Sequence, residues 1–160
     1  MQIRPLQSED REWSSALVVS HFDSPQVVSR GRLHDAGELP GLVAISEGAQ
    51  VGLLLYRIDV DGFEVVVLIA ERPRVGIGRA LLTAALESAR TAGCPKAWPV
   101  TTNDNLAAKA FYEALGWRLV AIHRGEIARS RLLKPEIPEF GLDGIPIDDE
   151  LEFEFDVMSA

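Results

Sequence analysis

Read for alternation and helical spacing, the chain divides into short strands and a few amphipathic helices. Gln2-Ile3-Arg4-Pro5-Leu6 predicts a first strand. Ser8, followed by Glu9 and Asp10, predicts the start of a helix whose inward face carries Trp13, Leu17 and Phe22. From 23 to 40, polar, glycine and proline residues interrupt short apolar pieces and the pattern weakens. His21 and His34 fall near or within that stretch with no His, Cys or acid at ligand spacing, so they read as solvated loop histidines and no metal site is expected. Residues 41–46 and 50–58 flank a Glu47-Gly48-Ala49 turn and predict a hairpin, and Asp61-Gly62 predicts a second turn into the apolar run 63–70.

Beyond that run the period changes. Ile77, Leu81, Ala84, Ala85, Ser88 and Ala89 share one helical face, and Gly93 with Pro95 predicts the stop. Ala97-Trp98-Pro99-Val100 predicts a strand, in which Pro99 argues against a central position with full ladder pairing. Asn103-Asp104-Asn105 offers N-cap candidates for a helix ending at Leu115, with Gly116 just past it, and 117–127 predicts another strand. Residues 134–146 read as a proline- and glycine-marked loop. The end, 150–157, alternates: Leu151, Phe153, Phe155 and Val157 on one face, Glu152, Glu154 and Asp156 on the other. That is a half-buried final strand whose acids form a solvated face, or, in the sharper alternative, help attract a cationic acceptor.

The chemistry concentrates where strand 63–70 hands over to the next helix, in Glu71-Arg72-Pro73-Arg74-Val75-Gly76-Ile77-Gly78-Arg79. A helix's first turn carries unpaired N–H groups and the positive end of the macrodipole. Glycines let an anion approach that backbone, and Arg72, Arg74 and Arg79 add positive charge. The stretch suits phosphates, although a glycine pair at such a junction can also be only a tight turn. It is not a P-loop, because Gly78 is followed by Arg79-Ala80 rather than Lys-Ser/Thr. Nor is it a dinucleotide fingerprint: Leu81 stands where a third small residue is needed, and the next strand carries no acid.

Composition narrows the field. At 160 residues, 47% hydrophobic and 25% charged, the chain fits a single domain, 1–160. A net charge of −8 argues against nucleic-acid binding. One cysteine, Cys94, excludes an internal disulfide and fits a reducing, cytoplasmic setting. No signal-like segment or membrane-length apolar run is visible, so no membrane partner is expected.

Two segments together carry a resemblance. Arg74-Val75-Gly76-Ile77-Gly78-Arg79-Ala80-Leu81-Leu82 and Asn105-Leu106-Ala107-Ala108-Lys109-Ala110-Phe111-Tyr112-Glu113-Ala114-Leu115-Gly116-Trp117 resemble the paired signatures of the GNAT superfamily of acyl-CoA-dependent N-acyltransferases. Pro73 stands where that pattern expects a basic or amide residue, so Arg72, Arg74 or the backbone alone could serve the pyrophosphate. The resemblance implies an α/β (α+β) fold: a mixed, mostly antiparallel sheet with a splayed pair of central strands and helices on both faces. It implies acetyl-CoA as cofactor, with Leu68, Ile69 and Ala70 pairing their backbone with pantetheine and the amides of Val75, Gly76, Ile77, Gly78 and Arg79 holding pyrophosphate. Asn105 would bond the pantetheine region beside Ala108, and Tyr112 would face the sulfur and protonate it, unless it is only a packed helical tyrosine. Glu64 and Glu71 are the nearest candidates in sequence for the base that takes the acceptor's proton. Partners would be a small-molecule or protein amine, with a homodimer left open. The alternatives are a silent acyl-CoA or metabolite-binding module and a nucleotide-dependent enzyme using the same glycines.

Overall fold

The computed structural model describes residues 1–72 and 75–158. In chain order the elements are β1 (Gln2–Pro5), α1 (Arg11–Phe22), β2 (Gln26–Ser29), β3 (Arg32–Asp35), β4 (Gly41–Ser46), β5 (Ala49–Asp59) and β6 (Gly62–Ala70). There follow α2 (Ile77–Thr91), β7 (Lys96–Thr102), α3 (Leu106–Ala114), β8 (Arg118–His123), α4 (Glu126–Leu133) and β9 (Glu150–Asp156). Seven strands form one sheet in the order β1-β4-β5-β6-β7-β9-β8, while β2 and β3 pair as a separate hairpin. Every neighbouring pair is antiparallel except β6 and β7. This is the mixed, mostly antiparallel sheet that the resemblance implied.

Two apolar cores lie on opposite faces. One joins Leu81 of α2 and Tyr112 of α3 to Phe63, Val65, Trp117 and Phe153. The other joins Val18 of α1 to Leu53, Leu55, Val67 and Ile69. Strand alternation explains the division for β5, where Leu54 joins the first core and Leu53 and Leu55 the second. Strand β6 breaks the rule, since Val65 and Val67 face opposite ways. The β5–β6 register gives the reason: Tyr56 opposes Val65 and Leu55 opposes Val67, leaving Val66 as an extra residue in a β-bulge.

The parallel pairing ends at the same level. Strands β6 and β7 pair only at Phe63–Ala97, Glu64–Trp98 and Val65–Pro99, and then part. Pro99 has no N–H to extend a ladder, and the pairing of β7 with β9 likewise skips Trp98 and Pro99. Pro99 therefore does occupy a central strand. The ladder gives way there, not the strand's place in the sheet. A bulge on one strand and a proline on the other open the splay.

Three segments depart from expectation. Residues 23–40 contain the β2–β3 hairpin, turned by Arg30 and Gly31, both at positive φ. The helix expected at Ser8 begins only at Arg11, after a 3-10 turn, because the Asp10 carboxylate accepts the Gln7 N–H at 2.8 Å and also binds Arg4 and Gln50. The strand expected over 117–127 stops at His123, and Gly125, at φ 69, turns the chain into α4.

Candidate active site

A cavity of about 570 Å³ passes through the opening between β6 and β7. Its walls come from both faces of the sheet. Leu68, Asn105, Ala108 and Tyr112 line it from the α2–α3 side, and Val27, Val28, Ser29, Ile127 and Glu150 from the side of the hairpin and α4. A ligand spanning it would thus be reached from two independent sets of elements.

Beyond the first side, and outside the cavity lining, α2 opens with no side-chain cap among the described residues and no acid in its first turn. Gly76 is its N-cap at φ 84, in the left-handed region that L side chains rarely adopt. Gly78 has a packing reason as well: a Cβ there would meet Phe111 Cζ at 3.1 Å. Arg72, Val75 and Arg79 are exposed around this turn, Ile77 is buried, and Arg72 and Val75 border a small cleft beside Ser46. Arg74, like Pro73, lies outside the described residues. Leu68 and Ile69 line the cavity and Ala70 is half-buried just beyond. Past Val65, β6 has no strand partner on its gap side among the described residues. That edge of unpaired amides suits an extended amide-bearing arm.

Helix α3 follows directly. Asn105 caps it, its Oδ1 accepting the Ala108 N–H at 3.0 Å, which leaves the side-chain NH2 group to serve a ligand. Asn105 and Ala108 both line the cavity two turns and one turn before Tyr112. Tyr112 is 6% exposed, its ring among Phe111, Trp117 and Phe153. Burial pushes its hydroxyl well above the ordinary tyrosine value, so it stays a proton-bearing donor at neutral pH. It is both the packed helical tyrosine and a cavity-lining one.

The two acids nearest in sequence are placed differently. Glu71 is exposed on the turn after β6. Glu64 is buried beneath the hairpin, accepting from Ser29 Oγ at 2.6 Å and from Arg57 at 3.2 Å. Neither lines the cavity, though Ser29 does. Burial raises the Glu64 carboxyl, while the Ser29 bond and the Arg57 charge pull it back. His34 corrects the solvated reading: it is 4% exposed, with Nε2 2.7 Å from Ser29 Oγ. Burial, helped by Arg57 and Arg32, pushes it down to about 4, so it is neutral. Because the Ser29 proton points at Glu64, the His34 Nε2–H must donate to Oγ. The three residues form a structural relay, not a Ser–His nucleophile pair.

Strand β9 supplies the group that pattern reading missed. Its acids do not share one solvated face: Glu150 and Glu152 are 2% and 8% exposed, and only Asp156 is open to solvent. Glu152 is held by Arg30 at 2.8 Å and His123 at 2.9 Å. Glu150 lines the cavity and accepts the Arg30 backbone N–H at 3.0 and 3.3 Å. Burial pushes its carboxyl up to about 7, against the Arg30 N–H. Its only sequence signal was that it starts the alternation of acids on β9. Lys134 was also missed. Its ammonium spans Phe22 O at 2.8 Å and Gln26 O at 2.9 Å, tying the end of α4 to the hairpin. Cys94 is buried in the first core, and burial raises its thiol, which disfavours a covalent role.

Comparison with known proteins agrees with this geometry. The Acetyltransferase (GNAT) family matches residues 3–117. Protein YxbD of Bacillus subtilis (strain 168) is 36% identical over 152 residues, covering 94% of this chain and 96% of its own. Among solved structures, the IAA acetyltransferase of Bacillus cereus superposes with a TM-score of 0.70 at 18% identity, covering 97% of this chain and 98% of its own. A GNAT family acetyltransferase from Elizabethkingia anophelis with acetyl-CoA bound superposes at 0.67 with 16% identity, over 97% of both chains. With the splayed sheet, the glycine-capped helix and most of the chain all matching, the protein belongs to the GNAT acetyltransferase family.

Proposed function

We propose that this protein is an N-acetyltransferase that moves an acetyl group from acetyl-CoA directly to an amine within a ternary complex. The observation that carries this reading is the cavity through the β6–β7 opening, lined from both faces of the sheet. One face offers a place for the donor and the other a place for the acceptor. Bound there, acetyl-CoA supplies an activated acetyl thioester. The residues present fit it: an unpaired β6 edge beyond Val65, an uncapped helix start at Gly76, and Asn105 with a free amide NH2.

Leu68, Ile69 and Ala70 would bond the pantetheine amides through the β6 backbone. The N–H groups of Val75, Gly76, Ile77, Gly78 and Arg79 would take the pyrophosphate at the positive end of α2, with Arg72 adding charge. A backbone N–H of β6 beside the bulge would face the carbonyl oxygen, and one such preorganised donor is worth ~2.7–4 kcal/mol. Tyr112 would give its proton to the departing sulfur. Its buried, neutral phenol is suited to donate and not to carry charge. Glu64 stands behind Ser29, one hydroxyl away from the acceptor side, and Glu71 lies on the open turn outside it.

The test combines a thermal-shift measurement with a thiol-release assay. Acetyl-CoA and CoA should raise the melting temperature, because a ligand that binds only the native state must do so. Thiol should then appear only when an amine is added. Stabilisation by ATP or NAD but not by CoA would overturn the reading. Stabilisation by acetyl-CoA with no thiol release from any amine would leave a silent acyl-CoA-binding module.

A further inference from the structure

The acceptor side of the cavity has a distinct chemistry. Its walls are apolar, from Val27 and Val28 on the hairpin, Ile127 on α4, and Ile137 and Ile147 on the loop after it. Its charged lining is acidic: Asp23, Asp104, Glu136 and Glu150 stand against one lysine, Lys134. That lysine is spent on Phe22 O and Gln26 O. Asp104 is likewise engaged, by Thr102 and by the Leu142 N–H at 3.0 Å. Glu150 differs from both, for among the described residues no side-chain cation is bonded to it. Its one donor among them is the Arg30 N–H, while the Arg30 guanidinium goes to Glu152. A carboxylate 2% exposed with one backbone donor is an incompletely satisfied anion facing a cavity.

We infer, resting on the acetyl-transfer reading above, that the acceptor is a compact primary amine with an apolar body, and that Glu150 is the catalytic residue that receives its ammonium and takes its proton. Size supports the first part. The whole cavity is about 570 Å³ and must also hold the end of the pantetheine arm, so the acceptor share suits a small alkyl or aryl group. Its roof is tied down by Lys134 to α1 and β2 and by Arg131, which donates to Pro138 O at 2.8 Å and Ile147 O at 3.0 Å. A peptide would need an open groove instead.

The proton count closes. An ammonium loses two protons on becoming an amide: Glu150 takes the first and releases it to solvent, and the second replaces the one that Tyr112 gives to the sulfur. The C–N bond forms as the C–S bond breaks. Glu150 has the balance this role needs. Burial and Glu126 of α4 favour its protonated form, while the Arg30 N–H, His123 of β8 and the Arg30 charge favour the carboxylate, placing it at about 7. Glu152, next on the same face of β9, is occupied by Arg30 and His123, and Lys134 and Glu136 line the far wall.

The experiment compares wild type, Glu150→Gln and Val28→Phe in thiol release with benzylamine, isoamylamine and an alanyl tripeptide. Folding is checked by circular dichroism and acetyl-CoA affinity by titration. Wild type should favour the two small amines over the tripeptide by ~100-fold or more in kcat/KM. Glu150→Gln should lose ~10²–10⁴-fold with acetyl-CoA affinity unchanged, and should lack the acidic limb expected of wild type near pH 7. Val28→Phe, which fills the apolar wall and leaves the Glu150 carboxylate in the chain, should raise the KM for benzylamine tenfold or more and spare acetyl-CoA binding. That arm decides the acceptor class even if the glutamine variant does not fold, and Glu150→Asp, which keeps the carboxylate, then decides the base by retaining the acidic limb. Equal or better use of the tripeptide overturns the acceptor class. Full turnover in Glu150→Gln overturns the base, as does an acidic limb missing from Glu150→Asp. Either result leaves acetyl transfer standing. Absence of acetyl-CoA binding in wild type would instead remove the reading beneath both.

Discussion

The two sides of the β6–β7 opening are built by different means. On the α2–α3 side, the groups that could meet a ligand are mostly backbone: the start of α2, the edge of β6 beyond Val65, and one cap residue, Asn105. On the hairpin–α4 side they are side chains held by long-range partners. Ser29 binds Glu64, Arg30 binds Glu150 and Glu152, and Lys134 binds Phe22 and Gln26. Backbone sites are fixed once the local element forms. Side-chain sites exist only when distant segments meet. One fold can therefore keep its α2–α3 side and vary its hairpin–α4 side, since the two share little besides Val65, Tyr112 and the gap.

The sharpest way to test that division is Tyr112→Phe, which touches only the shared centre. Turnover should fall ~10²–10⁴-fold, with acetyl-CoA affinity nearly unchanged because the ring and its aromatic neighbours remain. Stopped-flow thiol release and a cofactor titration on the same sample separate the two effects. Full turnover would mean that the sulfur takes its proton elsewhere.

Next in size is Arg57→Leu, behind the hairpin–α4 side. Among the described residues it leaves Glu64, 2% exposed, with one hydrogen-bond donor, the Ser29 hydroxyl. Removing one partner of a buried pair costs about 3 kcal/mol or more, and urea unfolding should show it. The loss should be smaller at pH 5 than at pH 8, since Glu64 can then take up a proton. Acetyl-CoA affinity, governed by the other side, should not follow the loss. Parallel losses would break the comparison.

The smallest effect is a pH slope. The Glu150 carboxyl rises from its ordinary 4.5 to about 7 in the fold, so the native state keeps a proton that the unfolded chain releases. That contribution is present below the unfolded value and is lost as pH rises through about 7. His34, lowered from 6.5 to about 4, has the opposite sign: its contribution is lost as pH falls through that window. Glu150→Gln removes the first and keeps the second. Its stability relative to wild type should therefore increase from pH 4.5 to 7.5 in paired urea titrations. A constant difference would mean that Glu150 titrates normally.

The sequence by itself determined the glycine-opened start of α2, the cap of α3 and most of the element order. Gly76 and Gly78 after an apolar run, Asn105 at the N-cap, and Tyr112 seven residues on are local facts, set by backbone geometry and helical period. Their positions on the elements could be read without knowing what packs against them. Even the splay was half visible, because Pro99 cannot complete a ladder, although the Val66 bulge that meets it depends on register with β5. The hairpin–α4 side was decided only by tertiary structure. Arg30 and Glu150 are far apart in the chain, and the hairpin that joins them lies where the apolar pattern was weakest. Glu150 and Glu152 alternate as a solvated face would, and they are buried because the hairpin and α4 close over them. Alternation says which residues share a face of a strand. Only the packing of other elements says whether water reaches it.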